Sequence, residues 1–300
     1  MAIESLREWI ELIEGADFAA LDKQGIDLIC GFVGSLRPHV ATFVHRTPVQ
    51  DVWRVTPNHA VLENARDTRL HQLALLKYPP AEKARYGRAN LPGRSVLYGA
   101  FSRISPRLET KPVSGDLITL TRWRSGAGTV LSVAPIVFLP EIVAAMPYYQ
   151  GHYQRFEQWL AGKPDDEARY VREATEFITR QFIKHVPVGR SADYLVSAAF
   201  ADLLLQDDGI DAVVYPSVAT ALHDVNIAIK PAVFDRLFEP VEAHEMMVAR
   251  VSADGSRYHQ HHTARADRWD MGAGRVLWDA TASVPESALA QVRDALEQET

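Results

Sequence analysis

The N-terminal part of the chain begins with helical periodicity and then changes to an extended pattern. Apolar residues recur every three or four positions over residues 3–13, which predicts an amphipathic first helix. Asp17 is a candidate N-cap for a second helix over residues 21–36, which Pro38 would end. Residues 40–47 are rich in β-forming side chains and therefore predict a strand.

The middle of the chain contains short strand-like runs and one ambiguous segment. Residues 51–80 are ambiguous, and we expect a helix over about 61–76. Short strands are predicted at 95–100, 117–123 and 128–133. Because the turn-forming residues 125–128 separate the last two runs, we expect these runs to form a β-hairpin.

The second half alternates helices with short apolar strands. Residues 150–186 predict helices, the second with acidic residues at its start and basic residues near its end, as the helix dipole favours. Ser191 is a candidate cap for a further helix that stops at Asp208 and Gly209. We expect strands at 210–215, 226–231, 248–252 and 274–278, and a closing helix over 286–298.

The order of these elements indicates the fold class. Helices and strands are mixed without a regular βαβ alternation, which favours an α+β fold with a mixed sheet over a doubly wound sheet. The sequence has no internal repeat, low-complexity run or clear linker, so we treat residues 1–300 as a single domain.

Composition narrows the function classes. The formal net charge of −6 disfavours non-specific nucleic-acid binding, which requires Lys and Arg to neutralise phosphates. Cys30 is the only cysteine, so an intramolecular disulfide and a cysteine-based zinc site are excluded, and we expect its thiol in the core.

No segment of the sequence suggests membrane insertion or export. The first residues lack a basic region followed by an apolar one, and the most apolar stretch, 130–146, is short and broken by prolines. We therefore expect a soluble cytoplasmic protein that does not bind membranes.

The segment 86–98 is the most informative in the chain. Its glycines and proline predict a tight loop that carries Arg88, whose planar guanidinium suits phosphate oxygens. Tyr98 could stack on a base or a nicotinamide, and Glu109 follows 11 residues later. Taken alone, the loop is better explained by surface charge at Arg88 and Arg94, because it matches neither a P-loop nor a G-x-G-x-x-G motif.

Three segments in order resemble the RES-domain family, which is named for an arginine, a glutamate and a serine. Each motif is weak alone, but the ordered set is fairly specific, and it covers under half of the chain. The matching segments are Arg46 in Phe-Val-His-Arg-Thr-Pro, the loop Gly87-Arg88-Ala-Asn-Leu-Pro-Gly followed by Tyr98 and Glu109, and Asp208-Gly-Ile followed by Tyr215-Pro-Ser217 and Asn226.

The resemblance implies a fold and an activity. It implies a fold similar to ADP-ribosyltransferase toxins, with NAD⁺ as a substrate rather than a cofactor, and degradation of NAD⁺ by hydrolysis or by phosphorolysis with inorganic phosphate. Some members arrest growth and are paired with an antitoxin. The RES-like core would span 41–240, with a helical extension at 1–40, a helical insertion at about 140–190 and an extension at 241–300. These additions could form a homo-oligomer interface.

The resemblance also assigns roles to individual residues. Cleavage of the nicotinamide–ribose bond builds positive charge on the ribose, which the Glu109 carboxylate would stabilise. Arg46 and Arg88 would hold the NAD⁺ pyrophosphate. Three more residues would line the pocket: Tyr98 against the nicotinamide or its ribose, Ser217 at a turn after a buried strand, and Asn226 at the start of the next strand. Ser217 lacks a G-x-S-x-G context, so we do not interpret it as a covalent nucleophile.

Other interpretations remain open at this point. The same ribosyl chemistry would serve a mono-ADP-ribosyltransferase that acts on a macromolecule, and a catalytically silent protein could use the pocket to bind NAD⁺ or a partner. The histidine-rich run 258–262 invites a metal site, but no acidic or cysteine ligand is evident nearby, so we expect a solvated polar loop and no metal.

Overall fold

The computed structural model describes residues 3–62, 69–252, 255 and 257–280. Within these residues the secondary structure comprises the following helices: α1 (Ile3–Glu14), α2 (Lys23–Leu36), α3 (Asn58–Leu62), α4 (Ser105–Glu109), α5 (Pro140–Ala145), α6 (Gln150–Ala161), α7 (Asp165–Ile183), α8 (Leu195–Leu205) and α9 (Pro231–Leu237). The strands are β1 (His45–Pro48), β2 (Asp51–Pro57), β3 (Leu97–Ala100), β4 (Leu117–Ser125), β5 (Val130–Pro135), β6 (Ala212–Pro216), β7 (Val225–Ile229), β8 (Phe238–Val251), β9 (Tyr258–Asp270) and β10 (Arg275–Ala280).

These elements confirm the prediction of an α+β protein with a mixed sheet. The chain divides into two compact units, each built from separated stretches of sequence. Unit 1 comprises 1–47, 80–96 and 130–230, and unit 2 comprises 48–79, 97–129 and 231–300. No helix within the described residues is long and apolar enough to cross a membrane.

Unit 1 combines helices with the strand order β1-β5-β6-β7. β5 pairs with β6 in parallel, and β6 pairs with β7 antiparallel, so the sheet is mixed. Both β6 and β7 are buried along their whole length, which explains why each appears as a continuous apolar run. A cluster of buried side chains from α6, α7 and the flanking segments closes one part of the core: Ala41, Phe138, Phe156, Leu160 and Val171.

The sequence of α7 explains why this segment forms a helix. Pro164 precedes it, three acidic residues occupy its first turn, and Arg180 lies in its last turn, an arrangement that favours the helix dipole. Its buried face includes Phe177 and Phe182. The predicted helical stretch 150–186 is therefore confirmed as α6 and α7.

Unit 2 is an antiparallel sheet with the strand order β3-β2-β4-β8-β9-β10. Paired strands bring apolar side chains together on one face, in a cluster of Val55, Ile118, Leu120, Met246 and Val248. Trp123 is fully buried and packs edge-on against Phe234 of α9, whose ring stacks on Phe238.

Several predicted elements differ from the structure. The predicted hairpin is wrong, because β4 pairs with β2 and β8 while β5 pairs with β6. The predicted strand at 40–47 is also too long, since only His45–Pro48 is extended into a strand. The expected polar loop at 258–262 is the beginning of the long strand β9, because its backbone pairs with β8.

The predicted helix boundaries also need correction. Asp17 caps a short 3-10 turn by accepting from the Ala19 N–H at 3.3 Å, and it is Asp22 that caps α2 by accepting from the Gly25 N–H at 2.8 Å. Ser191 begins a 3-10 turn rather than capping α8, which starts at Leu195. In place of a helix over 61–76, the described part of that region has α3 and a 3-10 turn at Leu73–Leu76, and the predicted helix at 286–298 lies outside the described residues.

Gly99 on β3 is required by close packing. A Cβ atom at this position would lie 2.3 Å from Val52 Cγ1 and 3.0 Å from the Trp53 carbonyl oxygen. Val52 is fully buried and cannot move away without disturbing the sheet. Only glycine therefore fits between β3 and β2 at this point.

We predict that Gly99→Ala lowers the free energy of unfolding by about 1–3 kcal/mol through overpacking. Gly126→Ala is the matched control, because the nearest atom to its Cβ would be Thr129 Oγ1 at 3.7 Å. Urea denaturation of both variants checks the prediction. Equal stability of the two variants would show that β2 relaxes to admit the methyl group.

Candidate functional site

The loop that carries Arg88 is held by its own main chain. The Gly87 N–H donates to the Asn90 carbonyl at 3.1 Å. The side-chain nitrogen Nδ2 of Asn90 donates to the main-chain carbonyls of Arg85 at 2.7 Å and Leu91 at 2.9 Å. Gly93 has a φ of 78°, a conformation that favours glycine. Asn90 and Gly93 therefore shape the loop.

Arg88 is a buried cation. Its side chain is only 8% exposed, so the alternative that it is a surface charge is wrong, whereas Arg94 in the same loop is exposed. Arg88 Nη1 donates to the carbonyl of Phe182 at 2.7 Å and to that of Lys184 at 3.1 Å, and the guanidinium lies 4.8 Å from the centre of the Tyr194 ring. Both carbonyls belong to the C-terminal end of α7, where a cation stabilises the helix dipole.

Within the described residues, Arg88 contacts neutral groups. The two carbonyl oxygens are neutral, and the Tyr194 ring contributes only its quadrupole. Burial lowers the pKa of Lys184, and the Arg88 charge adds to that effect while Asp193 opposes it. Arg88 therefore contributes positive potential to this part of unit 1.

Ser217 follows β6 at a strained turn. It is fully buried, its N–H donates to the Asp224 carbonyl at 2.8 Å, and its carbonyl accepts from the Leu222 N–H at 2.9 Å. Ala221 and Leu222 have φ values of 50° and 65°, which are costly for residues with a Cβ, at about 1–3 kcal/mol each. Strain of this kind is concentrated at functional sites, so the turn 217–224 is a candidate site segment.

Contacts within unit 1 connect three of the predicted residues. Asn226 on β7 lies directly opposite Tyr215 on β6, and the Tyr215 ring is 5.5 Å from the ring of Phe182. Phe182 is the residue whose carbonyl Arg88 binds, and Ser217 follows Tyr215 by two positions. Arg88 and Asn226 are therefore linked through Phe182 and Tyr215, and Ser217 lies two residues after Tyr215 along the chain.

Arg46 has different surroundings. It lies on β1 in unit 1, where its side chain is exposed. The preceding residue, His45, belongs to a histidine pair that the sequence did not indicate: the rings of His45 and His152 are 4.5 Å apart. Burial lowers the pKa of both, that of His152 to about 4, with the His45 and Arg155 charges contributing. Because the two residues are more than a hundred positions apart, no local pattern could reveal this pair.

Tyr98 and Glu109 lie in unit 2. Tyr98 is on β3 and is partly buried, and Glu109 is the last residue of the short helix α4, which packs against β2 and β3. Helix α4 begins at Ser105 and Pro106, and both residues are buried. Glu109 is half-buried.

Unit 2 also contains a partly buried cation, Arg54, which was not identified from the sequence. Its Nη1 donates to the Tyr98 carbonyl at 3.0 Å, and burial lowers its pKa to about 10. Its Nε is buried and has no hydrogen-bond partner among the described residues. The sequence feature that could have identified Arg54 is its position as a charged residue between the apolar residues of β2.

Arg54 begins a polar stripe across β2, β4 and β8. It lies opposite Thr121, while Thr56 lies opposite Thr119, which in turn faces Glu245. The side chains of all four partners are at most 1% exposed. The hydroxyls of Thr56 and Thr121 have no hydrogen-bond partner in the described part of the chain. This face of unit 2 is therefore polar although it is buried.

Glu245 is satisfied within this stripe. It accepts from Arg69 Nε at 2.9 Å and from the Thr263 hydroxyl at 2.6 Å. The network anchors β8 and β9 to the segment that carries Arg69. We therefore interpret Glu245 as a structural anion.

The Cys30 thiol is disfavoured as a nucleophile. Cys30 lies on α2 and is only partly buried, and burial raises the pKa of its thiol, which disfavours the reactive thiolate. Across residues 3–62, 69–252 and 257–280 no group of three or more His, Cys, Asp or Glu side chains is arranged to hold a metal ion.

In comparisons with known proteins, no family model matches the chain and no curated protein matches it.

The His45–His152 pair predicts a dependence of stability on pH. Because the pKa of His152 is about 4 in the folded protein and 6.5 in the unfolded chain, the unfolded state binds more protons between these values. The free energy of unfolding should therefore fall as the pH falls from about 6.5 to about 4, and His152→Gln should lose part of this dependence. His185→Gln, which removes an exposed histidine of unit 1, is the control. Urea denaturation at several pH values measures the difference, and identical profiles for the two variants would contradict the prediction.

Proposed function

We propose that this protein degrades NAD⁺ by cleaving the bond between nicotinamide and ribose. The observation that carries the proposal is the buried guanidinium of Arg88, held on neutral carbonyls and connected through Phe182 and Tyr215 to Asn226. A cation held in this way is preorganised to bind phosphate oxygens. The resemblance of the motifs to the RES-domain family supplies the substrate class and an ADP-ribosyltransferase-like core.

The pyrophosphate of NAD⁺ requires cations that are available to it. Arg88 donates to two main-chain carbonyls, which are neutral. Arg46 is exposed and free to reorient toward a ligand. We assign the phosphate-binding role to Arg46 and Arg88, both of unit 1.

The bond cleavage needs a carboxylate. When the C1′–N bond breaks, its electron pair leaves with nicotinamide, which becomes neutral, and positive charge develops on the ribose ring. The Glu109 carboxylate stabilises this charge, and a water molecule or inorganic phosphate then forms the new bond to C1′. With water, the products are ADP-ribose, nicotinamide and a proton, which passes to the solvent.

Neutral groups would bind the nicotinamide riboside part of the substrate. The Ser217 hydroxyl and the Asn226 amide are buried polar groups that can orient the ribose hydroxyls, and the Tyr98 ring can pack against nicotinamide. The strained turn 217–224 fixes the position of Ser217. Because Ser217 lacks the G-x-S-x-G motif of a nucleophile elbow, we assign it no covalent role. The role of toxin paired with an antitoxin rests on the family resemblance alone.

We predict that the purified protein converts NAD⁺ to nicotinamide and that Glu109→Gln lowers the rate about 10²–10³-fold, because the neutral amide cannot stabilise the ribosyl cation. Glu239→Gln, a change at an exposed position of unit 2, should retain full activity. Liquid chromatography with and without inorganic phosphate identifies the acceptor from the product.

Two outcomes would overturn the proposal. Full NAD⁺ turnover by Glu109→Gln would remove the carboxylate role. Absence of nicotinamide release by the folded protein in either buffer would contradict NAD⁺ degradation, and transfer of the ADP-ribosyl group to a macromolecule in a lysate, detected by mass spectrometry, would indicate a transferase instead.

A further inference from the structure

Four basic side chains converge on one face of unit 2. We call them the α4 basic cluster: Arg103, which precedes α4, Arg107 on α4, His244 on β8 and His262 on β9. The rings of His244 and His262 are 5.6 Å apart and nearly perpendicular. Arg103 and His262 are exposed, so the cluster is open to solvent.

Arg107 is fixed in place by neutral oxygens. Its Nε donates to the Arg103 carbonyl at 3.1 Å, and its Nη1 donates to Gln260 Oε1 at 3.2 Å. Gln260 is on the same strand as His262 and two residues before it, so this hydrogen bond joins α4 to the histidine-bearing part of β9. These two hydrogen bonds orient the guanidinium through neutral oxygens.

Glu242 pairs with one member of the cluster and is shared with two arginines outside it. Glu242 Oε2 lies 3.2 Å from His244 Nε2, but Glu242 also pairs with Arg122 at 2.8 Å and with Arg265 at 4.0 Å. One negative charge is thus divided among three basic side chains. Glu109, two residues after Arg107, is the acidic residue of α4.

Like charges in the cluster oppose one another. Burial lowers the pKa of Arg107, and the Arg103 charge lowers it further. Burial also lowers the pKa of His262, with His244, Arg103 and Arg107 adding to the effect. Repulsion of this kind destabilises the charged cluster until an anion offsets it.

We propose that the α4 basic cluster is a binding site for a phosphate group, supplied either by free inorganic phosphate or by a nucleotide. Two arginines offer planar sets of donors that match phosphate oxygens, and the two imidazoles become donors to a dianion once protonated. This site goes beyond the proposed cleavage of NAD⁺, and its binding is measured without turnover, so either proposal can fail without the other.

The experiment is a binding titration on the full-length protein. Inorganic phosphate is one arm and AMP the other, followed by NMR of the histidine ring protons and by calorimetry at constant ionic strength. We expect saturable binding in at least one arm, together with an upward shift in the pKa of His262, because a bound dianion favours the imidazolium. The arm that saturates at the lower concentration identifies the source of the phosphate group.

The matched variants separate a site from general charge screening. Arg107→Gln should weaken binding about tenfold or more, because a hydrogen bond to a charged group is lost. Arg268→Gln changes the net charge equally but removes an exposed arginine of β9 that is paired with Asp279, so it should retain binding. His262→Gln, at an exposed position, provides a second loss-of-binding variant if Arg107→Gln does not fold.

Three results would overturn the proposal. These are absence of saturation in both arms, equal weakening by Arg107→Gln and Arg268→Gln, or saturation that leaves the pKa of His262 unchanged.

Discussion

The hydrogen bonds from Arg88 to the end of α7 are the interaction on which the candidate site depends. The loop 87–93 is rigid because Asn90 and Gly93 shape it, and Arg88 joins it to the carbonyls of Phe182 and Lys184. The same contact satisfies the last carbonyls of a 19-residue helix and buries a full positive charge. A buried cation whose partners among the described residues are neutral costs free energy, which a phosphate ligand would recover.

Unit 2 repeats this arrangement in a sheet. Arg54 donates to the Tyr98 carbonyl, and its Nε, together with two threonine hydroxyls of the polar stripe, has no partner in the described residues. Buried polar groups are usually satisfied, so groups that are not mark places where a ligand or water completes the structure. Each unit therefore holds an arginine that donates to main-chain oxygens.

Local patterns predicted much of this structure, and the errors arose where distant contacts decide. Helices α1, α6 and α7 follow from apolar periodicity, and β6 and β7 from their buried apolar runs. The hairpin prediction failed because β4 and β5 pair with strands far away in sequence, and β9 appeared as a loop because its polar side chains conceal a backbone paired with β8. For the site, the motif located the buried Arg88 and Ser217, but Arg54 and the His45–His152 pair depend on sheet pairing and packing that no spacing records.

The most direct test of the NAD⁺ site is to find which backbone segments a bound nucleotide protects from hydrogen exchange. Hydrogen-exchange mass spectrometry of the intact protein would be compared with and without an NAD⁺ analogue whose nicotinamide ribose carries carbon in place of the ring oxygen, which prevents cleavage. We predict that the analogue slows backbone amide exchange in two segments of unit 1, the Arg88 loop at 85–94 and the strained turn at 217–224. Binding of the analogue with unchanged exchange in both segments would contradict the assignment of Arg88 and Ser217 to the site.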